Sequence, residues 1–577
     1  MKHPLWIAPC VLAVITSLLL PVPVPGQGDV ASDTAPIGGL SFKDEVEVTV
    51  VNIVVNVTDD DGKPVTDLTA DDFVVSLNGD AREISNFQLY TEEGYRSWLA
   101  RRDGPVIIPD EAEDGALAAG NEPRPLYVTL FVDNENLHPL DRNRVLKEAA
   151  SFVRLNLKPP VQMMVCTFER RLKVVQPFTD DPDLVLAALR DQTVRSGGRE
   201  SRDRSRRDVL DEIQRYSQDP GSAGVNAAAN VWGLITATAE EEINILSYTM
   251  DALRATTGMM AGLPGKKSIV YISNGLPMIA GLDLFYAYSS AFDDPSAMSQ
   301  IARYDQSRRF EGLVSAAISQ DISFYTIGAG GLRAASIGSA DSNTPRDPMA
   351  ASFGAETYLD SLRFMAENTG GRAIVSTNDF EAGFQRITRD LFTYYSIGFP
   401  LSISGGDKVH RLKVELPNHD DYDIRYRRRF VEKSLESRVQ DEVMTALMFP
   451  VNDNPLQVEL TTGEAAPASA DRWMLPVSIW FPIESLALLP EGEDLVGRAV
   501  LFIAARDTEG KQSDLVRQVH DVRLPAADYE TVQGEGWRID TRLLTASGSY
   551  TIAIGLMDQI TRQASVVTMK TSIKDTE

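Results

Sequence analysis

The sequence predicts an α/β domain on a doubly wound, mostly parallel sheet, flanked by an N-terminal β module and a C-terminal β-sandwich. Three observations predict this. Four short apolar runs, at 126–132, 162–168, 268–273 and 322–327, have the character of strands buried on both faces. Amphipathic helical stripes lie between and after them, and alternation of buried strand with such helices is the signature of a doubly wound domain. Before residue 93 and after residue 400 the apolar period shifts towards two, the period of half-buried strands.

The chain has 577 residues, too many for one hydrophobic core, and its 43% hydrophobic and 24% charged composition is that of globular protein. The formal net charge of -26 disfavours nucleic acid, whose phosphates require Lys and Arg, and docking on anionic lipid. Lys2, an uncharged apolar run at 5–20 and a Pro-rich exit at 21–27 read as a secretory signal cleaved near Gly26. An uncleaved anchor is the alternative, although the run is short against the about 20 residues a bilayer requires. The expected localisation is therefore periplasmic or extracellular, with no membrane span after cleavage. The apolar segment 227–239 ends at Glu240, Glu241 and Glu242. Of two cysteines, Cys10 lies in the signal, and Cys166 sits in a buried-looking run where an inert thiol is expected.

The expected organisation is a signal at 1–26, a linker at 27–43, the β module at 44–92 and a connector at 93–123. The α/β domain then covers 124–400, followed by a β extension at 401–435 and the sandwich at 436–577. In the β module, Val46, Val48 and Val50 alternate with polar residues. Asp59-Asp60-Asp61-Gly62 reads as a solvated turn without the full set of calcium ligands, and Asn78-Gly79 as a hairpin turn. Helical stripes run through Leu146, Ala150, Val153 and Leu157; through Leu246, Met250 and Leu253; and through Phe310, Leu313, Val314 and Ala317. Two more run through Leu359, Leu362 and Met365, stopped by Gly370-Gly371, and through Phe380, Phe384, Ile387 and Leu391, with Asn378 and Glu381 as a capping box. Within this domain, 195–216 carries seven arginines interleaved with acids. The acids neutralise much of the charge, so a solvated loop or helix is expected over an anion-binding arm. After 435, a helix at 436–448 precedes strands at 457–460, 475–481, 499–505, 515–522, 550–557 and 565–572.

Several segments resemble von Willebrand factor A domains, and more closely the VWFA-related domain proteins of acidobacteria and similar bacteria. They are 126–133, ending in Asp133; 263–275, with Asn274 after the central strand; 322–327; 366–372; Asn378-Asp379-Phe380; and 394–398. In the β module, 61–65, Leu68-Thr69 and 71–73 are similar as well. The resemblance covers most of 44–430. It implies a metal-ion-dependent adhesion site at the C-terminal ends of the sheet, with Asp-x-Ser-x-Ser after the first strand, a Thr from a later loop and an Asp after the central strand. Here Asp133 is present, but Glu135 and Leu137 replace the two serines and Asn274 replaces the later Asp; Thr193 and Ser201 are the nearest candidates for the Thr. Two expectations follow. Asp133, Glu135 and Asn274 hold a divalent cation, Mg²⁺, Mn²⁺ or Ca²⁺, in altered geometry, or the loop only shapes a binding surface.

No arrangement for catalysis emerges. His138, His410, His419 and His520 lack metal-ligand spacing, and there is neither a nucleophile elbow nor a P-loop. The run 328–331 reads as a tight turn. The expected function is non-enzymatic binding of a protein or cell-envelope surface. A hydrolase with dispersed catalytic residues and a purely structural envelope component are the alternatives.

Overall fold

The computed structural model describes residues 47–102, 124–195, 197–218, 227–332, 348–403, 406–449, 453–469, 471–533 and 536–573. The expected signal, the linker and most of the connector lie outside them. Two compact units are present, one built from 49–401 with 408–432, the other mainly from 433 onward.

The first unit begins with β1 (Glu47–Thr58), β2 (Val74–Leu77), β3 (Asp80–Arg82) and β4 (Asn86–Tyr90). In β1 the inward set is Val51, Ile53, Val55 and Val57, while Val50 is exposed. Asn78 and Gly79 both have positive φ, as a two-residue turn matched to strand twist requires. Asp59 spends a carboxylate oxygen on the amide of Lys63, closing the acidic turn on itself.

The start of the expected connector is instead a helix, α1 (Glu92–Arg102). Tyr95 stacks on Phe392 at 4.6 Å between ring centroids, a tertiary contact that local composition does not reveal. Then come β5 (Leu126–Asp133), α2 (Pro139–Asn156), β6 (Val161–Glu169), β7 (Arg171–Thr179), α3 (Pro182–Gln192), α4 (Arg199–Gln218), α5 (Ala227–Met259) and β8 (Lys266–Ser273). They are followed by α6 (Leu282–Phe292), α7 (Ser296–Ser299), α8 (Ser307–Ser319), β9 (Ile322–Gly328), α9 (Pro348–Asn368), β10 (Ala373–Ile374) and α10 (Phe380–Phe392). The sheet order is β10-β9-β8-β5-β6-β7, parallel except for the β6–β7 pair. The chain thus starts in the middle of the sheet and winds outward in both directions. The strand order reverses between β5 and β8, where such sheets open a crevice at their C-terminal ends. One face packs on α2, α3 and α10 through Val128, Leu130, Val145, Val153, Phe384 and Ile387. Edge strand β7 is half exposed and carries Pro177, which explains why no apolar run announced it. The cap of α10 is Asp379, not Asn378; the Asn378 side chain accepts from the amide of Leu332 instead.

The chain then returns through β11 (Tyr394–Ile403), β12 (Lys408–Glu415), β13 (Asp423–Tyr426) and β14 (Arg429–Glu432). These complete the N-terminal strands, giving facing sheets β13-β1-β11-β4 and β14-β12-β2-β3 around one core of Ile53, Val55, Val75, Leu77, Ile397, Phe399, Leu412 and Val414. The β stretches read separately in the sequence, 44–92 and 401–435, are therefore halves of one sandwich. Asp390 of α10 joins this sandwich to the α/β domain. Arg425 of β13 grips both its carboxylate oxygens at 2.6 and 2.7 Å, and Arg372 adds a third contact at 3.1 Å.

The second unit starts with α11 (Leu435–Ala446), capped by Ser434, and continues as β15 (Glu459–Thr462), β16 (Ala466–Ser469), β17 (Arg472–Phe481), β18 (Leu489–Glu491), β19 (Asp494–Asp507) and β20 (Val516–Pro525). It ends with α12 (Tyr529–Val532), β21 (Trp537–Thr545), β22 (Gly548–Asp558) and β23 (Ala564–Ile573). All its strand pairs are antiparallel. In β19 the odd-numbered Ala499, Leu501 and Ile503 enter the core between the sheets, while Val500, Phe502 and Ala504 meet α11 on the outer face. A Cβ on Gly555 would strike Val439 and Val443, so this strand position is small because the helix lies on it. Among the described residues, no helix is long and apolar enough to cross a membrane.

Burial alone would raise the carboxyl of Asp390, but Arg425 and Arg372 outweigh it and hold it below the usual range. Asp390→Ala strands two guanidiniums and should cost about 3–5 kcal/mol in urea unfolding followed by tryptophan fluorescence. In the wild type, this carboxylate's contribution is complete above the unfolded value of about 3.9 and declines as pH falls below it. The variant should lose that component of the acid transition.

Candidate functional site

The crevice is floored by the ends of β5 and β8. Asp133 closes β5 and is fully buried, and the following residues form a 3-10 turn, Asn134–Asn136. Its carboxylate is enclosed by donors. Tyr271 and Ser273 of β8 donate their hydroxyls to Oδ2 at 2.5 and 3.0 Å. The backbone amide of Asn136 donates to Oδ1 at 3.2 Å, and the Asn136 side-chain amide reaches both oxygens at 3.1 and 2.9 Å. Burial pushes the Asp133 carboxyl above its usual range, and these donors and nearby Arg202 act against that push. Each bond answers the penalty of burying a polar group without a partner.

Asn134 is held as firmly. Its amide donates to Thr167 and Gln192, and it accepts from the buried Arg142 of α2 at 3.0 Å. The second arm of Arg142 ties down the carbonyls of Thr193 and Arg195. A Cβ on Gly198 would collide with Glu135, so glycine is what lets the chain entering α4 press against the turn.

Helix α4 covers this floor, and it is where the sequence expectation fails. Its arginines are not a solvated face. Arg206 is buried between Glu242 of α5 and Asp283 of α6. Arg202 sends Nη1 to Glu135 Oε1 at 2.6 Å, and Nη2 to the Glu135 carbonyl at 2.6 Å and Asn136 Oδ1 at 2.8 Å. Arg199 is buried over the Tyr358 ring at 4.1 Å and pairs with Asp203 at 2.9 Å. Asp203 also meets His138 at 2.8 Å. Burial would raise its carboxyl, but Arg199 and His138 prevail and hold it well below the usual range. Further along the same face α4 packs Val209 and Ile213 into a satellite core with Ile235 and Phe285. Arg202 and Arg206 find their acids far away in sequence, at 135, 242 and 283, while Arg199 takes Asp203 from the helix itself, so the acids within the same segment misled the sequence reading for the first two. Only Arg204 and Arg215 remain mostly exposed with local acids, Glu200 and Glu212.

The three candidate metal ligands are thus engaged in different ways. Both oxygens of Asp133 accept donors, and Glu135 faces a guanidinium. Asn274 directs its amide nitrogen to Asp141 at 3.4 Å; its buried Oδ1 is without a partner. One open neutral oxygen does not fit a hard cation, which needs several oxygen ligands. Among the described residues, no group of three or more His, Cys, Asp or Glu is placed to hold an ion. Thr193 caps α3 and Ser201 is exposed on α4; the hydroxyl beside the Asp133 network belongs to Thr249 of α5, which accepts from Asn136 at 3.1 Å. Sequence reasoning missed Asn136, Tyr271, Thr249 and Arg202; the one local signal was the repeated Asn in Asp133-Asn134-Glu135-Asn136.

At the rim, the bonds from Arg142 and Asn143 to Thr193 hold Val194 beside the first turn of α2. Arg144 reaches the carbonyl of Ala329, anchoring the tight turn after β9 that leads to Leu332. Leu140, Val194 and Leu332 are 80%, 80% and 59% exposed. Elsewhere, a cavity of about 710 Å³ at the C-terminal end of α2 is lined by Tyr95, Leu155, Lys158, Gln385 and Phe392, among others, and holds no His or Cys.

No protein-family model matches the chain, and no curated protein matches it. Solved structures similar to it include an aerotolerance-related membrane protein from Bacteroides fragilis, at 12% identity over 46% of this chain and 97% of that one, with a TM-score of 0.22. The vWF domain of the type V pili tip protein Mfa5 from Porphyromonas gingivalis aligns at 12% identity over 46% and 95%, with a TM-score of 0.24. Three N-terminal domains of the same protein align at 8% identity over 78% and 71%, with a TM-score of 0.23. Likenesses this distant assign neither a family nor an activity.

Two outcomes are expected of this site. Arg206→Met leaves Glu242 and Asp283 buried without their cation; it should cost about 3–5 kcal/mol and open α4 to limited proteolysis before the sheet unfolds. Burial pushes the Cys166 thiol up to about 12, so its tryptic peptide should carry an alkylating label only when labelling is done in denaturant.

Proposed function

We propose that this is an exported, non-enzymatic binding protein that uses the crown of its α/β domain to hold a protein or cell-envelope partner. The observation that carries the proposal is the rim. Leu140, Val194 and Leu332 stand exposed on backbone that partly buried hydrogen bonds hold in place. Apolar side chains displayed on a pre-ordered frame lose little entropy on docking, which favours affinity over their staying in water. The polar groups beneath serve the frame: Asp133 is enclosed by donors, and His138 is engaged with Asp203. A general acid or base needs a reacting group within reach; Asp133 is fully buried with both oxygens accepting donors, and His138 spends Nε2 on Asp203. The acidic net charge supports a partner other than nucleic acid.

The test is cross-linking of the purified protein to a cell-envelope fraction, comparing wild type with Leu140→Asp/Val194→Asp. A partner that survives salt washing with wild type should be lost at least about tenfold with the double variant, whose melting temperature should stay within about 2 °C because both sites are exposed. Equal capture by both proteins would remove the crown from the binding role.

A further inference from the structure

We infer that the guanidinium of Arg202 is a built-in cation that organises the crown of the sheet in place of a bound metal ion. Three oxygens converge on it: the carboxylate of Glu135, the carbonyl of Glu135 and the side-chain oxygen of Asn136, at 2.6, 2.6 and 2.8 Å. These are the classes of oxygen that a hard divalent cation recruits, a carboxylate, a backbone carbonyl and a side-chain amide. They come from consecutive residues of one turn, directly after Asp133.

Asn136 carries the charge inward. Its oxygen faces Arg202 while its amide nitrogen donates to both oxygens of Asp133. The result is a chain of cation, polarised amide and buried carboxylate, in which each bond strengthens the next. A planar fork suits this task because it meets separate oxygens at fixed angles, and it is more weakly hydrated than a metal ion or an ammonium.

This cation is tethered. One turn earlier in α4, Arg199 is buried over Tyr358 and paired with Asp203; one turn later, Arg206 is buried between Glu242 and Asp283. The three side chains lie on one face of the helix, since residues three and four apart are neighbours. Two buried anchors keep the middle guanidinium at a high effective concentration, with no exchange with solvent. A free ion would have to displace it against that tether and its own hydration. Arg202 is itself largely buried, and a Cβ at Gly198 would strike the Glu135 side chain that it holds, so space around the cluster is filled.

The inference concerns how the crown is held together, so it stands or falls apart from whether the crown binds a partner. The experiment is thermal unfolding of wild type, Arg202→Gln, Arg202→Lys and Asp133→Asn in EDTA and in millimolar Mg²⁺, Mn²⁺ or Ca²⁺, with direct titration of each ion by calorimetry. Wild type should give the same melting temperature in every condition and no binding heat. Arg202→Gln should melt about 3–6 °C lower in EDTA and regain part of that loss with a divalent ion. Arg202→Lys, which keeps the charge and loses the fork, should fall between them. A rise in the wild-type melting temperature with any ion, lost in Asp133→Asn, would overturn the inference without needing the arginine variants to fold. So would an Arg202→Gln protein that is folded and ordinarily destabilised yet indifferent to every ion, because Arg202 would then be one more salt bridge and not a cation in an ion's place.

Discussion

The crown depends on one buried carboxylate. Asp133 ends the central strand at the point where the strand order reverses, and it has no exposed surface. A carboxyl there must be fully paired or it destabilises everything around it. The protein meets that demand from three directions: two hydroxyls from the neighbouring strand, a backbone amide from the following turn and a side-chain amide from Asn136. Satisfying Asp133 therefore fixes the turn, and the turn fixes where Glu135 and Asn136 present their oxygens to α4.

The second demand comes from α4. Burying arginines is costly, and breaking one such pair is costlier than never having made it. The helix docks through three guanidiniums at different points: Arg202 on Glu135, Arg206 on Glu242 and Asp283, and Arg199 on the ring of Tyr358. Such contacts contribute modest net stability but strong selection for one register. A helix shifted by one residue would turn Arg202 and Arg206 away from their acids and Arg199 away from Tyr358 together.

The sandwich shows the same division between local and remote determinants. Its strands are separated by more than three hundred residues, yet they share one core. Forming it requires closing a long loop, which the intervening α/β domain does by bringing its own ends together. Asp390 lies at that seam. It draws a strand residue, Arg425, and a loop residue, Arg372, onto the last helix of the domain. Asn56 of β1 donates to the carbonyls of Asp390 and Thr393 from the other segment of the sandwich.

The sequence by itself determined the local periods. Buried-strand runs marked β5, β6, β8 and β9, stripes marked the helices that cover them, and Asn78-Gly79 marked a turn, because each is set by neighbours within a few residues. It also pointed to Asp133 as the first residue of the site. Where burial is decided at a distance, local pattern was not enough. The half-exposed strand β7 carried no run, the helix α1 read as a connector, and the arginines of α4 read as solvated. Tertiary structure alone decided which charges meet. Tyr271 reaches Asp133 across 138 positions, Thr249 reaches Asn136 across 113, and Arg202 reaches Glu135 across 67. A charged side chain gives the same local signal whether it faces water or a buried partner. The difference arises only when the fold removes the water and leaves one opposite charge within reach.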